Sequence, residues 1–180
     1  MKVLLLIIFT LFVFVGCNEA IKKPNKTEKL NNQNQDIRTS IDKTPKVTGI
    51  GGIFFFSDNP QKTKRWYKKN LGFSINDYGA IFEFRNADKS GERNYLIWSL
   101  FNKDSKYFKP SKKDFMINYR VQNIEGLLQK LKANGVKILD SITTYSYGKF
   151  VHILDLEGNK IELWEPIDSV LTKMGGETIK

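Results

Sequence analysis

One cysteine and one histidine are all that 180 residues provide. A single Cys excludes a disulfide framework within the chain and any zinc cluster of several thiolates. A single His excludes sites built from two or more histidines of one subunit. Glycine-rich phosphate loops are missing too: Gly49-Ile50-Gly51-Gly52 sits inside a strand-like run rather than ahead of a helix. Nothing around His152 resembles a nucleophile elbow, so acyl transfer by a triad has no support. The remainder suits one soluble domain with appendages, since 41% of residues are hydrophobic and 27% charged.

The charge is lopsided, with 29 Lys and Arg against 19 Asp and Glu and a net of +10. Part of that excess lies outside the domain. Residues 1–16 (MKVLLLIIFTLFVFVG) place Lys2 before an apolar run of 13 residues, Val3 to Val15. That is too short for a bilayer core that wants about 20 residues, and it has the pattern of a secretory signal. The stretch from Asn18 to Lys46 is rich in Asn, Gln, Lys and Thr and has no aromatic residue. Such a composition cannot offset its ordering entropy, so residues 17–46 read as a flexible tether. Removing leader and tether leaves 21 basic and 15 acidic residues, a net of +6 without a block of like charges. No nucleic-acid partner is expected from that distribution.

From Val47 the texture changes, and residues 47–166 read as the folded domain, with 167–180 a loose tail or short helical turn. Thr48–Ser57 is strand-like. Asp58-Asn59-Pro60 opens a helix whose Thr63, Trp66, Tyr67 and Leu71 recur at helical spacing, and Gly72 is placed to end it. Strands are expected at Phe73–Tyr78, Ala80–Arg85 and Asn94–Phe101. The second half repeats this grammar: strand Phe115–Val121, a helix capped by Asn123, a terminating Gly135, then strands at Val136–Leu139, Lys149–Leu154 and Ile161–Trp164. Gly72 and Gly135 lie 63 residues apart. The fold class is therefore α+β, with two βαβββ modules whose helices cover the outside of a cupped mixed sheet.

Alternation along these strands nominates a site. Phe150, His152 and Leu154 share one face. A turn at Glu157-Gly158-Asn159 pairs residues whose numbers sum to 314, which sets His152 opposite Glu162. These two could act as acid and base, could hold a divalent metal weakly, or could simply satisfy one another. Phe54 and Phe56 share the face of Gly52; Asn118 and Arg120 share that of Met116; Trp164 shares that of Glu162. Trp98 joins this aromatic group with its facing unresolved, and Tyr145 and Tyr147 are candidates for the rim. Arg120 either clamps an anionic ligand or pairs internally with Glu162.

Two resemblances attach to these residues. Phe14-Val15-Gly16-Cys17 resembles the lipobox of bacterial lipoproteins, which implies cleavage before Cys17, fatty acylation there, and a cell-envelope location anchored to the membrane. Lys46 to Pro166, above all Asp155-Leu156-Glu157-Gly158-Asn159-Lys160-Ile161-Glu162-Leu163, resembles the vicinal oxygen chelate superfamily. That group includes glyoxalase I, extradiol dioxygenases, and fosfomycin- and bleomycin-resistance proteins. The resemblance implies a glyoxalase-like fold, a small-molecule ligand and a homodimer. It also implies metal ligands at the positions of Gly52, Met116 and Glu162, of which only Glu162 carries a suitable donor. The expectation is a binding protein with no cofactor. A metal-assisted lyase, isomerase or transferase built on His152 and Glu162 is the alternative, and an inert interaction module is a third reading.

Overall fold

The computed structural model describes residues 42–180. The leader, Cys17 and most of the tether lie outside the described residues. Lys43–Lys180 forms one compact unit. None of its helices is long and apolar enough to cross a membrane.

Seven strands form one sheet. They are β1 (Lys46–Ser57), β2 (Ala80–Arg85), β3 (Arg93–Asn102), β4 (Phe115–Gln122), β5 (Thr143–Tyr145), β6 (Gly148–Leu154) and β7 (Lys160–Pro166). Their order is β2-β3-β1-β4-β7-β6-β5. Within each half the first strand pairs parallel with the last, β1 with β3 and β4 with β7, while β1 and β4 meet antiparallel at the centre. The two halves thus share a wiring diagram about the β1–β4 seam, as the duplicated sequence requires.

Local chemistry sets the helices. In α1 (Pro60–Leu71), Asn59 Oδ1 accepts from Lys62 N at 2.9 Å, Pro60 takes the first turn, and Gly72 closes the helix at φ 70°. In α2 (Ile124–Ala133), Asn123 accepts from Gly126 N, and Ile124, Leu127 and Leu128 point inward. They pack on Val121, Val151, Ile153 and Leu163, which are the outward residues of β4, β6 and β7. Each such side chain is worth about 1.5–3 kcal/mol on burial. The opposite parity, Met116, Asn118 and Arg120 on β4 with Glu162 and Trp164 on β7, is thereby left to the concave face.

Four sequence expectations need correction. Phe73–Tyr78 is not a strand but a loop with one bridge, Ile75 to Ala80, because Asn76 and Gly79 close a tight turn on each other. Val136–Leu139 likewise reduces to one bridge, Ile138 to Ile153, and the edge strand is β5 instead. Trp98 faces away from the cup: it lies among Phe55, Tyr67 and Phe73, its ring 4.6 Å from that of Tyr67, under α1. Of the two readings of the tail, the loose end is overturned and the helical one is formed, longer than a single turn and docked. It forms α3 (Asp168–Met174), and Ile179 then pairs in parallel with Phe82 on edge strand β2. Hydrogen bonds from Ile179 N to Ile81 O (2.8 Å) and Glu83 N to Ile179 O (2.7 Å) satisfy backbone groups that edge would otherwise expose.

Candidate functional site

The concave face divides into an apolar half and a polar half. On the first, Phe54, Met116 and Phe108 form a buried cluster, with Phe56, Ile97 and Phe101 against it. Phe108 stacks on Phe56 at 4.3 Å. It comes from the segment between β3 and β4, whose apolar pair Tyr107-Phe108 is set among polar residues. Phe54 and Phe56 therefore face the cup as expected, but Phe108 covers them.

Glu162 sits at the centre of the polar half. The register places it beside Asn118 on β4 and opposite His152 on β6. Both of its oxygens are engaged. Oε1 accepts from the Tyr107 hydroxyl and from His152 Nε2 at 3.0 Å, and Oε2 accepts from Asn118 Nδ2 at 2.5 Å. Burial alone would push this carboxyl up, but the bonds from His152, Tyr107 and Asn118 outweigh it and hold the group below its ordinary range. Glu162 is therefore a carboxylate at neutral pH.

His152 is clamped on both sides. Nδ1 lies 2.6 Å from Asp140 Oδ2 and Nε2 faces Glu162, while its backbone N–H donates to Asp140 Oδ1 at 2.8 Å. Burial disfavours the imidazolium, yet the Glu162 and Asp140 contacts overcome that and raise its pKa. Tyr107 completes the group. Its phenol is pushed far up by burial and by the neighbouring Glu162 charge, with Tyr145 and Tyr147 adding to the effect, so it donates and does not ionise. Lys160 Nζ, its pKa lowered by burial, donates to Tyr107 O at 2.6 Å and lies 4.9 Å from that ring's centre. The lysine thus fixes the loop that brings in the phenol.

Aromatic rings border this centre. Tyr107 stacks on Phe101 with the ring planes 3° apart and meets His152 edge-on at 5.7 Å. Tyr145 lies flat against Tyr147 at 5.4 Å, and Phe150 stacks on Trp164 at 5.7 Å. Tyr107 and Tyr145 are both exposed, so the polar centre has an aromatic margin open to solvent.

Arg120 lies elsewhere. Only 3% exposed, it donates to Tyr95 O and Asn94 Oδ1, both at 3.1 Å, and to Asp168 Oδ2 at 2.5 Å, with Trp164 flanking its guanidinium at 5.3 Å. The internal pair with Glu162, one of the two roles the sequence left open for Arg120, is not formed; Asp168 of the tail takes that place. Its donors hold β4, β3 and α3 together.

The inherited metal positions do not fit a metal. Gly52 has no donor, and a Cβ there would stand 2.6 Å from the Phe54 ring. Met116 is fully buried in the phenylalanine cluster. Glu162 meets protons on both oxygens, where a cation would need lone pairs. Sequence reasoning missed Tyr107, Asp140 and Lys160. Periodicity is silent about the loops that carry Tyr107 and Asp140, although an aromatic pair in a lysine-rich loop was a sign that the loop docks; Lys160 opens β7, and nothing in the strand pattern shows that its amine reaches the Tyr107 carbonyl.

A family model described as Glyoxalase/Bleomycin resistance protein/Dioxygenase superfamily matches residues 49–163. The chain is 28% identical over 124 residues to the uncharacterized protein YetH of Bacillus subtilis (strain 168), covering 66% of this chain and 99% of that one. Among solved structures it is similar to methylmalonyl-CoA epimerase of Streptomyces coelicolor in complex with 2-nitronate-propionyl-CoA. That match has a TM-score of 0.52 and 15% identity over 68% of this chain and 99% of the other. A methylmalonyl-CoA epimerase in complex with methylmalonyl-CoA and NH4+ gives 0.51 at 17% identity, over 68% and 96%. At such identities these structures speak for the fold alone.

Proposed function

The chain belongs to the Glyoxalase/Bleomycin resistance protein/Dioxygenase superfamily, and from that membership we propose that it is a metal-independent small-molecule-binding domain. On this reading it is tethered to the cell envelope through Cys17 and takes a planar aromatic ligand at the margin formed by Tyr107, Tyr145, Tyr147 and Phe150. The observation that carries it is the state of Glu162. The acid at the family's ligand position is saturated by Tyr107, His152 and Asn118. Binding is favoured over catalysis because His152 lies between two carboxylates. Both of its ring nitrogens are engaged, Nδ1 with Asp140 and Nε2 with Glu162, so neither is turned to a substrate as a base. A planar ligand is favoured over a simple anion because Arg120 spends its donors internally.

A ligand present at a hundred times its Kd stabilises the fold by about 2.7 kcal/mol. Thermal unfolding against a panel of planar heteroaromatic compounds should find such ligands, and Tyr145→Ala, a truncation at an exposed ring, should abolish the shift. Elemental analysis should find no stoichiometric transition metal. A bound divalent ion that is lost in Glu162→Ala overturns the reading. The lipid anchor is tested by labelling cells with a fatty-acid analogue: the label should enter the wild-type chain and not Cys17→Ser.

One observation favours the acid–base reading as second choice, the alignment of Asp140, His152 and Glu162 on successive hydrogen bonds. Should a ligand draw Tyr107 off Glu162, the freed oxygen would face it as a base. Incorporation of solvent deuterium into a bound ligand, lost in Glu162→Gln, would select that reading.

A further inference from the structure

Helix α1 concentrates charge in a way the linear sequence conceals. It carries Lys62, Lys64, Arg65, Lys68 and Lys69 and no acidic residue. Lys64 is buried, its Nζ donating to Asp77 O at 2.6 Å. The others are exposed. Along the chain they are interrupted by Thr63, Trp66 and Tyr67, but spacings of three, four and seven bring Lys62, Arg65, Trp66 and Lys69 to one face. Tyr67 points the other way, into the core beneath. None of the four exposed cations has an ion-pair partner among the described residues. In their midst Trp66 is 54% exposed, its ring meeting that of Tyr67 edge-on.

We propose that this face of α1 docks the domain on an anionic lipid surface, with Lys62, Arg65 and Lys69 at the headgroups and Trp66 inserted at the interface. Charge complementarity supplies the attraction, and an indole with one apolar side and one polar tip suits the headgroup boundary. The length of chain ahead of the domain fits this occupant. About thirty residues separate Cys17 from β1. With the proposed Cys17 anchor, and were that stretch a coil, a chain of its length would have a root-mean-square span of about 30 Å. An anchor at that distance keeps the helix in the millimolar range of effective concentration beside the membrane, so a weak face suffices. Nucleic acid would also meet the charge, but the proposed anchor holds this face beside a membrane, which makes lipid the occupant and leaves duplex DNA as an arm of the test. This surface lies apart from the cup and stands whatever the cup binds.

The test reads the indole, because the leader's apolar run would attach the full chain to any vesicle. The chain has three tryptophans. Trp98 and Trp164 are buried, so vesicle-induced changes in emission report Trp66. With full-length protein on vesicles of phosphatidylcholine containing phosphatidylglycerol, emission should move to the blue and be quenched by lipids brominated near the headgroup. Neither should occur on phosphatidylcholine alone or in molar salt. Trp66→Phe should remove both signals. The triple change Lys62→Glu, Arg65→Glu, Lys69→Glu should weaken the interaction about a hundredfold, at roughly 1 kcal/mol for each cation lost. An unchanged Trp66 spectrum on anionic vesicles overturns the proposal. So does an equal shift on neutral vesicles, or a shift with duplex DNA but none with lipid.

Discussion

Replacing Glu162 with Gln keeps the shape of the side chain and removes its charge, which is the property on which the candidate site turns. Three donors converge on the carboxylate: the Tyr107 hydroxyl, His152 Nε2 and Asn118 Nδ2. Hydrogen bonds to a charged group are worth about 1.5–3 kcal/mol each and neutral ones about 0.5–1.5, so the change costs about 1 kcal/mol per bond, or about 3 kcal/mol in all. The figure presumes that Gln keeps three partners. If its oxygen stays beside Tyr107 and His152, its amide meets the Asn118 amide donor to donor. Asn118 can answer by turning over, because its Oδ1 is buried with no partner and would then accept. That relief keeps the loss near 3 kcal/mol rather than the 3–5 expected for stranding a buried charge. Urea denaturation at pH 7 measures it. A second readout follows from composition: the chain has one histidine, so a single imidazole C2 proton reports its titration. In the wild type it should titrate above the ordinary 6.5, since Glu162 and Asp140 outweigh burial. In Glu162→Gln it should fall, since burial is then opposed by Asp140 alone. The pH dependence of stability has a defined sign. His152 has a raised pKa, so its contribution is complete below about 6.5 and is lost as pH climbs through the folded value. Glu162 has a lowered pKa, so its contribution holds above the ordinary carboxylate range and is lost as pH falls through the folded value. The pair is worth most between about pH 4.5 and 6.5. A wild-type imidazole titrating at or below 6.5, or one that Glu162→Gln leaves unmoved, refutes the reasoning.

Tyr107→Phe removes one donor to a buried carboxylate that keeps two others. It should cost about 1–2 kcal/mol in urea and loosen the segment between β3 and β4, detectable as faster amide exchange at Phe108. Arg120→Met leaves the part-exposed Asp168 without its cation and Asn94 Oδ1 and Tyr95 O without their donor, and should cost about 2–3 kcal/mol, with the tail after Pro166 becoming the first site of limited proteolysis. Gly51→Ala would set a methyl 2.2 Å from Asn118 Oδ1 and 2.8 Å from the Trp164 ring, so thermal unfolding should report a loss of about 1–3 kcal/mol.

What the sequence disclosed depended on periodicity. Both helices, their Asn caps and the closing Gly72 were legible because capping needs particular side chains at fixed offsets. The His152–Glu162 pairing was legible because a short turn fixes hairpin register. The two-module α+β fold followed from reading the same grammar twice, and its glyoxalase-like form was what the resemblance of the Asp155–Leu163 run implied. Trp98 was not legible: alternation gives two faces but not which of them a helix covers, and Tyr67 decides that in space. The partner of Arg120 was hidden for a related reason. Asp168 is 48 residues away, in a tail with no periodic signal, and only folding brings the two to 2.5 Å. Tyr107 and Asp140 stand in loops, where no repeat constrains which residue reaches inward.

The polar half of the cup can be understood as an answer to one electrostatic difficulty. A carboxylate as buried as Glu162 needs positive charge or several donors, or it takes up a proton. The superfamily pattern that the sequence resembles meets the need with a cation shared among three protein ligands. Here Gly52 and Met116 offer no lone pair of the right kind, so on the proposed reading the compensation is spread over an imidazolium, a phenol and an amide. Each is held by a further contact: His152 by Asp140, Tyr107 by the Lys160 bond to its carbonyl, and Asn118 by its closeness to Gly51. Hydrogen-bond donors differ from a metal in what they permit. A metal offers open coordination to an incoming oxygen, whereas these donors already point inward at the acid. A ligand must displace one of them or settle on the aromatic margin outside, and of the three only the Tyr107 ring is exposed enough to be moved at small cost. Specificity in this cup would then reside in the segment between β3 and β4, and less in the strands the sequence displays most clearly.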